Sequence, residues 1–330
     1  MKRVVVTGMG VVSPVGNTLH DYWKNLTDGV CGIDFITKYD ATEFKVKIAA
    51  EVKDFDPLNY MDKNNARRMD LFSQYAMAAA EMAVEDSGIE NKTDKDRLGV
   101  YIGSGIGGLI TFVNETEKCF QKGYQRVSPL FIPMMISNIA SGNVAIRFNA
   151  QGPNLPTVTA CATSTSALGE AFRAIKYGHA DAIISGGCEA SIIPIAIAGF
   201  TNCMALSLKN QPKSSSTPFD LNRDGFVMGE GGAVLILEEY QHAISRGAKI
   251  YAEICGYGNT CDAYHITAPQ PEAEASSKAI RLAYDEGGLS ANDTICINPH
   301  GTSTPLNDKT ETMAIKKALG AQAYECYIGA

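Results

Sequence analysis

Short apolar runs rich in β-branched residues alternate along the chain with segments in which apolar residues recur at helical spacing. The first pattern predicts buried strands and the second predicts amphipathic helices. The β-branched runs predict strands at residues 4–7, 98–103, 157–160, 182–186 and 233–238. The helical spacing predicts helices at residues 76–87, 167–178 and 240–246. This alternation is typical of an α/β fold with buried sheets.

The pattern begins again near residue 250. A strand beginning within residues 250–258 is followed by a predicted helix at 273–287, a strand at 294–298 and a helix at 309–319. We therefore predict two divisions of the chain, residues 1–250 and residues 251–330, with the second built like the first.

Composition narrows the classes of function. The chain has 330 residues, 45% of them hydrophobic, and a net charge of −7. This acidity argues against nucleic-acid binding, because phosphate backbones are met by clustered Lys and Arg. The N-terminal apolar run is broken by Gly8 and Gly10, so it is too short for a signal peptide or a membrane span. Nine cysteines without a CxxC motif fit a reducing compartment, which predicts a cytoplasmic protein without a metal site.

Glycine-rich turns follow several predicted strands, which raises the question of a nucleotide site. In Gly8-Met9-Gly10-Val11-Val12-Ser13, serine occupies the position where a dinucleotide fingerprint needs a third glycine or alanine. Pro14 then follows where the helix of that fingerprint would open. We therefore interpret these glycines as places where the backbone packs closely, and we assign no cofactor.

One cysteine lies in a setting that suits a nucleophile. Cys161 separates a β-branched run, residues 155–159, from a helix-forming run that begins at Ala167. A thiol at a strand-to-helix turn lies near the partial positive charge of the helix N-terminus, which favours the thiolate. Cys161 is therefore the candidate catalytic nucleophile.

A second candidate is the histidine of His300-Gly301-Thr302-Ser303-Thr304-Pro305, which directly follows a predicted strand. A histidine at a strand end can face a cleft, where it can donate to a developing oxyanion or carry a proton. The alternative interpretation is a core histidine whose ring nitrogens are both hydrogen-bonded.

Four motifs in combination resemble the β-ketoacyl-acyl carrier protein synthases, and most of all the type II elongating enzyme of bacterial fatty acid synthesis. They are Val5-Val6-Thr7-Gly8-Met9-Gly10, Thr159-Ala160-Cys161-Ala162-Thr163, Asp224-Gly225-Phe226-Val227-Met228-Gly229-Glu230-Gly231 and His300-Gly301-Thr302-Ser303-Thr304-Pro305. The resemblance implies a thiolase-like fold, in which two similar halves form a layered αβαβα arrangement, and it implies a homodimer.

The resemblance also implies a chemistry. Cys161 would take an acyl group from acyl carrier protein as a thioester, and the carbanion from decarboxylated malonyl-acyl carrier protein would then attack it. His300 matches the first of two active-site histidines, which stabilises the enolate. Thr302 and Thr304 match residues that bind the phosphopantetheine arm. Ile106 matches an acyl-pocket wall, and chain length would depend on a pocket that also includes Phe200.

Acyl carrier protein is acidic, so an enzyme with a net charge of −7 needs a local basic surface to bind it. The best candidate lies in Lys63-Asn64-Asn65-Ala66-Arg67-Arg68, which matches the docking patch of the family. We call Lys63, Arg67 and Arg68 the basic patch. The alternative interpretation is a solvated helix start.

One departure from the family concerns a KSMTGH-type segment that carries a lysine and the second histidine. No such segment occurs in the 330 residues, and Glu311 matches the carboxylate that orders this lysine. We therefore expect an incomplete C-terminal half, weakened condensation and surviving acylation of Cys161. A polyketide-type ketosynthase, or a non-condensing dimer partner or fragment of the same fold, remains an alternative.

Overall fold

The computed structural model describes residues 1–329, which form nine strands and eleven α-helices. The strands are β1 Val4–Val12, β2 Asp34–Phe35, β3 Ile48–Ala49, β4 Leu98–Gly103, β5 Ala182–Glu189, β6 Gly231–Glu239, β7 Ala252–Ile254, β8 Cys296–Ile297 and β9 Tyr327–Ile328. The helices are α1 Leu19–Thr27, α2 Lys63–Ala66, α3 Leu71–Ser87, α4 Leu109–Lys122, α5 Phe131–Met135, α6 Ile139–Arg147, α7 Thr163–Lys176, α8 Pro194–Asn202, α9 Tyr240–Ser245, α10 Glu274–Glu286 and α11 Pro305–Leu319.

The chain separates into two compact units. The first unit comprises Met1–Gly32, Ala50–Ile193 and Gly229–Ile254. The second comprises Ile33–Ala49, Pro194–Met228 and the described residues from Cys255 onward. These units draw on several chain segments each, so the division in chain order at residue 250 stays a prediction.

A five-stranded sheet is the centre of the first unit, with the strand order β4-β5-β6-β1-β7. Strands β4 and β5 run parallel, and the remaining neighbours run antiparallel. Helices α3 and α7 both pack on this sheet. Gly8 and Gly10 on β1 allow α3 to lie close, because a Cβ at either position would collide with the backbone of Ala83 or Ala79. These two glycines therefore serve helix–sheet packing.

Smaller sheets occur in the second unit. Strands β2 and β3 pair antiparallel, and β8 and β9 pair parallel. Helices α10 and α11 pack against each other. The segment after β7 runs close to α10, since a Cβ at Gly256 or Gly258 would collide with the carbonyl oxygens of Ala283 or Ala279. None of the helices within residues 1–329 is long and apolar enough to cross a membrane.

The strand predicted at residues 157–160 is wrong. Residues 152–155 run beside β4, where the Gly152 N–H donates to the Leu98 oxygen, the Val100 N–H donates to the Pro153 oxygen and the Leu155 N–H donates to the Val100 oxygen. Beyond them, the hydroxyl groups of Thr157 and Thr159 bond to the start of α7. Such local side-chain bonds compete with a strand ladder, which is why the β-branched run is not a strand.

Candidate active site

Cys161 lies in a tight turn that delivers the chain into α7. We call residues 159–163 the cysteine turn. Ala160 has a φ of 50°, a left-handed conformation that costs a non-glycine residue about 1 kcal/mol or more, and Ala160–Ala162 form a single 3₁₀ turn. The Thr159 N–H donates to Thr163 Oγ1 at 2.9 Å, which ties the two ends of the turn together. The side chain of Cys161 is exposed.

Glycines at two strand ends make room for this turn. A Cβ at Gly103, the last residue of β4, would collide with Thr163 Cγ2, and a Cβ at Gly187 on β5 would collide with Ser164 Oγ. The first turn of α7 therefore lies directly on the sheet. Helix α7 begins at Thr163, four residues before the predicted start at residue 167. The sequence pattern places the start too late because the first residues of the helix are polar and have no apolar periodicity.

A glycine-rich loop, residues 104–108, lies against the cysteine turn. A Cβ built on Gly105 would lie 3.5 Å from the Ala160 oxygen and 3.7 Å from the Ala160 Cα. The loop carries Ile106, whose side chain is 43% exposed. We call it the glycine loop. The loop that carries Ile106 thus lies against the turn that carries the candidate nucleophile.

His300 belongs to the second unit and follows the two-residue strand β8. Its side chain is exposed, so it is not a core histidine. Its backbone is fixed by Glu311 on α11, which accepts the His300 N–H at 2.7 Å and the Gly301 N–H at 2.9 Å, one on each carboxylate oxygen. Sequence reasoning connected Glu311 with a lysine and missed this bond to the histidine backbone.

The hydroxyl groups of Thr302 and Thr304 are 2.8 Å apart. Thr304 is also the N-cap residue of α11. Between them, the buried Ser303 has a φ of 63°, and its Oγ accepts the Thr217 N–H at 2.9 Å. We call residues 300–305 the histidine segment. Its two threonine hydroxyls are thereby held as a pair.

A buried ion pair anchors the same segment. Asp308, 1% exposed on the first turn of α11, faces Arg223 at 3.3 Å from Nε to Oδ2. Arg223 also donates to the backbone oxygens of Thr304 and Pro305. Sequence reasoning did not single out this pair, because only the fold brings residues 223 and 308 together.

Phe200 lies on α8 in the second unit. Its ring is half-buried and meets Phe226 edge-on, with 5.5 Å between the ring centroids. This arrangement is typical of paired aromatic side chains and fixes the ring position.

The basic patch lies on the exposed surface of the first unit. Lys63 begins α2, and Arg67 and Arg68 follow it; all three are exposed. The Gln74 amide on α3 donates to the Ala66 and Met69 oxygens, which holds the patch backbone in place. Exposure alone is compatible with a docking surface and with a solvated helix start.

Comparison with known proteins decides the family. Residues 1–243 match the family described as Beta-ketoacyl synthase, N-terminal domain, and residues 251–330 match Beta-ketoacyl synthase, C-terminal domain. The chain belongs to the β-ketoacyl synthase family. This confirms the resemblance drawn from the four sequence motifs.

Two kinds of relative of this β-ketoacyl synthase are informative. A curated protein of Synechocystis sp. named 3-oxoacyl-[acyl-carrier-protein] synthase 2 is 51% identical over 325 residues, which are 98% of this chain and 78% of that protein. A solved β-ketoacyl synthase from Burkholderia phymatum is 34% identical with a TM-score of 0.89, covering 97% of this chain and 79% of that one. The predicted thiolase-like α/β fold is therefore confirmed.

A third relative is a ketosynthase solved with a carrier protein. It is described as AntDE:AntF, a type II PKS acyl-carrier protein in complex with its ketosynthase. It is 32% identical to this β-ketoacyl synthase with a TM-score of 0.87, covering 99% of this chain and 80% of that one.

Proposed function

We propose that this chain is a 3-oxoacyl-acyl carrier protein synthase of fatty acid elongation. The observation that carries the proposal is the cysteine turn, which presents an exposed thiol at the start of α7 in a chain 51% identical to a 3-oxoacyl-[acyl-carrier-protein] synthase 2. The polyketide alternative has less support, because the ketosynthase that was solved with a PKS carrier protein is 32% identical.

The first step is acyl transfer to Cys161. The thiolate attacks the carbonyl carbon of the acyl thioester, and the phosphopantetheine thiolate of the carrier protein leaves with the electron pair of the broken bond. We assign stabilisation of the tetrahedral oxyanion to backbone N–H groups near Cys161, because a helix N-terminus presents donors where negative charge develops.

The second step is decarboxylative condensation. Malonyl-acyl carrier protein loses carbon dioxide, and the electron pair of the broken C–C bond becomes an enolate, which His300 stabilises. The enolate carbon attacks the acyl thioester of Cys161 and expels the Cys161 thiolate. Thr302 and Thr304 bind the phosphopantetheine arm, and the backbone bonds from Glu311 hold His300 in position.

The partner in both steps is an acidic acyl carrier protein. The basic patch supports this assignment, since its three cations are exposed on a backbone held by Gln74. We also propose a homodimer and a cytoplasmic location. Residues 156–159, which follow the short pairing with β4, are at most half-buried and belong to no strand, which leaves this side of the sheet available to a second copy.

Intact-protein mass spectrometry tests the proposal. The chain is mixed with octanoyl-acyl carrier protein, and malonyl-acyl carrier protein is then added while the 3-oxoacyl product is followed. We expect an octanoyl adduct that is lost in Cys161→Ala and kept in the matched control Cys31→Ala, which removes another exposed cysteine. Absence of the adduct from the parent chain, or its survival in Cys161→Ala, overturns the proposal.

A further inference from the structure

A partly buried carboxylate organises the glycine loop. Glu189, the last residue of β5, accepts the N–H groups of Gly105 at 3.0 Å and Ile106 at 3.2 Å on Oε2. Its other oxygen, Oε1, accepts the hydroxyl groups of Ser104 at 3.1 Å and Ser191 at 3.3 Å. Both serines are 1% exposed. Four donors therefore converge on one side chain.

These contacts continue through the rest of the loop. Ser104 Oγ, which donates to Glu189, also accepts the Gly107 N–H at 2.9 Å. The Gly108 N–H donates to the Met135 oxygen of α5 at 2.9 Å. Four consecutive backbone N–H groups, those of residues 105–108, are thus bonded, and Glu189 receives two of them directly and a third through Ser104.

No basic side chain pairs with Glu189 in the part of the chain that the structure describes. Burial raises the pKa of this carboxyl, while the hydrogen bonds from Ser104, Ser191, Ile106 and Gly105 act in the opposite direction. A carboxylate that is held by backbone and hydroxyl donors alone, at the end of a buried strand, fixes the geometry of what it binds.

The fixed loop is next to the nucleophile. A Cβ at Gly105 would contact Ala160, the neighbour of Cys161, and the following residue, Ile106, is 43% exposed. Gly107 and Gly108 lie against the backbone of Met134 and Met135, so that the loop is confined on a second side by α5. A displacement of the glycine loop, which carries Ile106, would therefore change the surroundings of the cysteine turn.

We propose that Glu189 is a positioning residue that sets acyl-chain selectivity by holding Ile106 at a fixed place beside the acylated cysteine. The proposal rests on the proposed function and deepens it. Glu189 acts through the loop backbone and takes no part in bond making. Its carboxylate serves as an acceptor, so an amide that keeps this acceptor should retain the loop.

The test compares Glu189→Ala, Glu189→Gln and the exposed control Glu85→Gln. Hydrogen exchange of a peptide that covers residues 104–108 reports loop order without any substrate. Cys161 acylation rates with butyryl- and myristoyl-acyl carrier protein, taken as a ratio, report selectivity. We expect Glu189→Ala to lose protection of this peptide and to change the ratio by about tenfold, the range in which apolar pockets discriminate chain length.

Glu189→Gln should retain protection, with a ratio within about twofold of the parent, because its amide oxygen can accept both backbone N–H groups while its NH₂ donates to the serine hydroxyls. If Glu189→Ala does not fold, Ser104→Ala removes the Gly107 bond and one hydroxyl donor to Glu189 while it leaves the Gly105 and Ile106 bonds, and it should give the same direction of change. An unchanged ratio in a folded Ala variant overturns the proposal. So does a Gln variant that behaves as the Ala variant does. If the parent chain accepts neither acyl group, the proposed function is wrong and the selectivity role with it. If the parent is acylated but Glu189→Ala keeps the hydrogen-exchange protection of residues 104–108, only this inference is wrong.

Discussion

The cysteine turn and the histidine segment both fix the position of a reactive residue, but they do so with different contacts. Each holds a reactive side chain just before a helix, α7 or α11, and each contains a non-glycine residue with positive φ, Ala160 or Ser303. The cysteine turn is set against the long, fully buried strand β4 and is closed by hydroxyl groups. The histidine segment follows a strand of two residues and is held by the carboxylates of Glu311 and Asp308.

The difference shows which kinds of contact hold each reactive side chain in place. The cysteine turn lies on a buried sheet, so packing and the close approach at glycines fix most of its geometry. Each hydrogen bond in the turn is then one of many contacts. Where the supporting strand is short, a few charge-assisted bonds carry the geometry, and these are about twice as strong as neutral ones. Single substitutions should therefore have larger effects in the histidine segment than in the cysteine turn.

The largest effect is expected at the buried ion pair. Arg223→Met leaves Asp308, 1% exposed, without its cation, which should lower the free energy of unfolding by about 3 kcal/mol. The matched control is Arg281→Met, because the Arg281–Asp285 pair is more than half exposed and should contribute less than about 0.5 kcal/mol. Urea unfolding measures both. Equal shifts of the two midpoints would contradict the prediction.

A smaller effect is expected at Glu311. Glu311→Ala removes the acceptor of two backbone N–H groups, so we expect a loss of about 2 kcal/mol and faster hydrogen exchange at His300 and Gly301. Acylation of Cys161 should stay within about twofold of the parent, because Glu311 bonds to the histidine segment and to Asn307 of its own helix, and not to the cysteine turn. Glu325→Ala, at an exposed position, is the control. Unchanged exchange in the Glu311 variant would remove the proposed role of this carboxylate in positioning His300.

The sequence predicts one part of this comparison better than the other. The bounds of β4 can be predicted from its uninterrupted run of apolar residues and glycines. The run is uninterrupted because both faces of the strand are buried, so polar and apolar residues do not alternate. The identity of Cys161 and His300 as candidates also came from sequence motifs. The first turn of α7 was missed, since Thr163 and Ser164 have neither helical periodicity nor high helix propensity.

The contacts of the carboxylates of Glu189 and Asp308 could not be predicted from the sequence, for a different reason. Glu189 and Asp308 bond to backbone and side chains about 85 residues away in the chain, as the Ser104 and Arg223 contacts show. No local pattern encodes such a contact. A weak signal exists for Glu189, because an acidic residue at the end of a strand that is otherwise fully buried needs donors to satisfy it.

The smallest effect is expected in the cysteine turn itself. Thr163→Val keeps the shape of the side chain but removes the acceptor of the Thr159 N–H, so we expect a loss of about 1 kcal/mol. The rate at which iodoacetamide alkylates Cys161 should change by less than about threefold, since the glycines at 103 and 187 still seat α7 on the sheet. Thr165→Val, at an exposed position two residues further on, is the control. If Thr163→Val destabilises the chain more than Glu311→Ala does, the turn depends on this one bond, and the contrast between a sheet-supported and a carboxylate-supported site is lost.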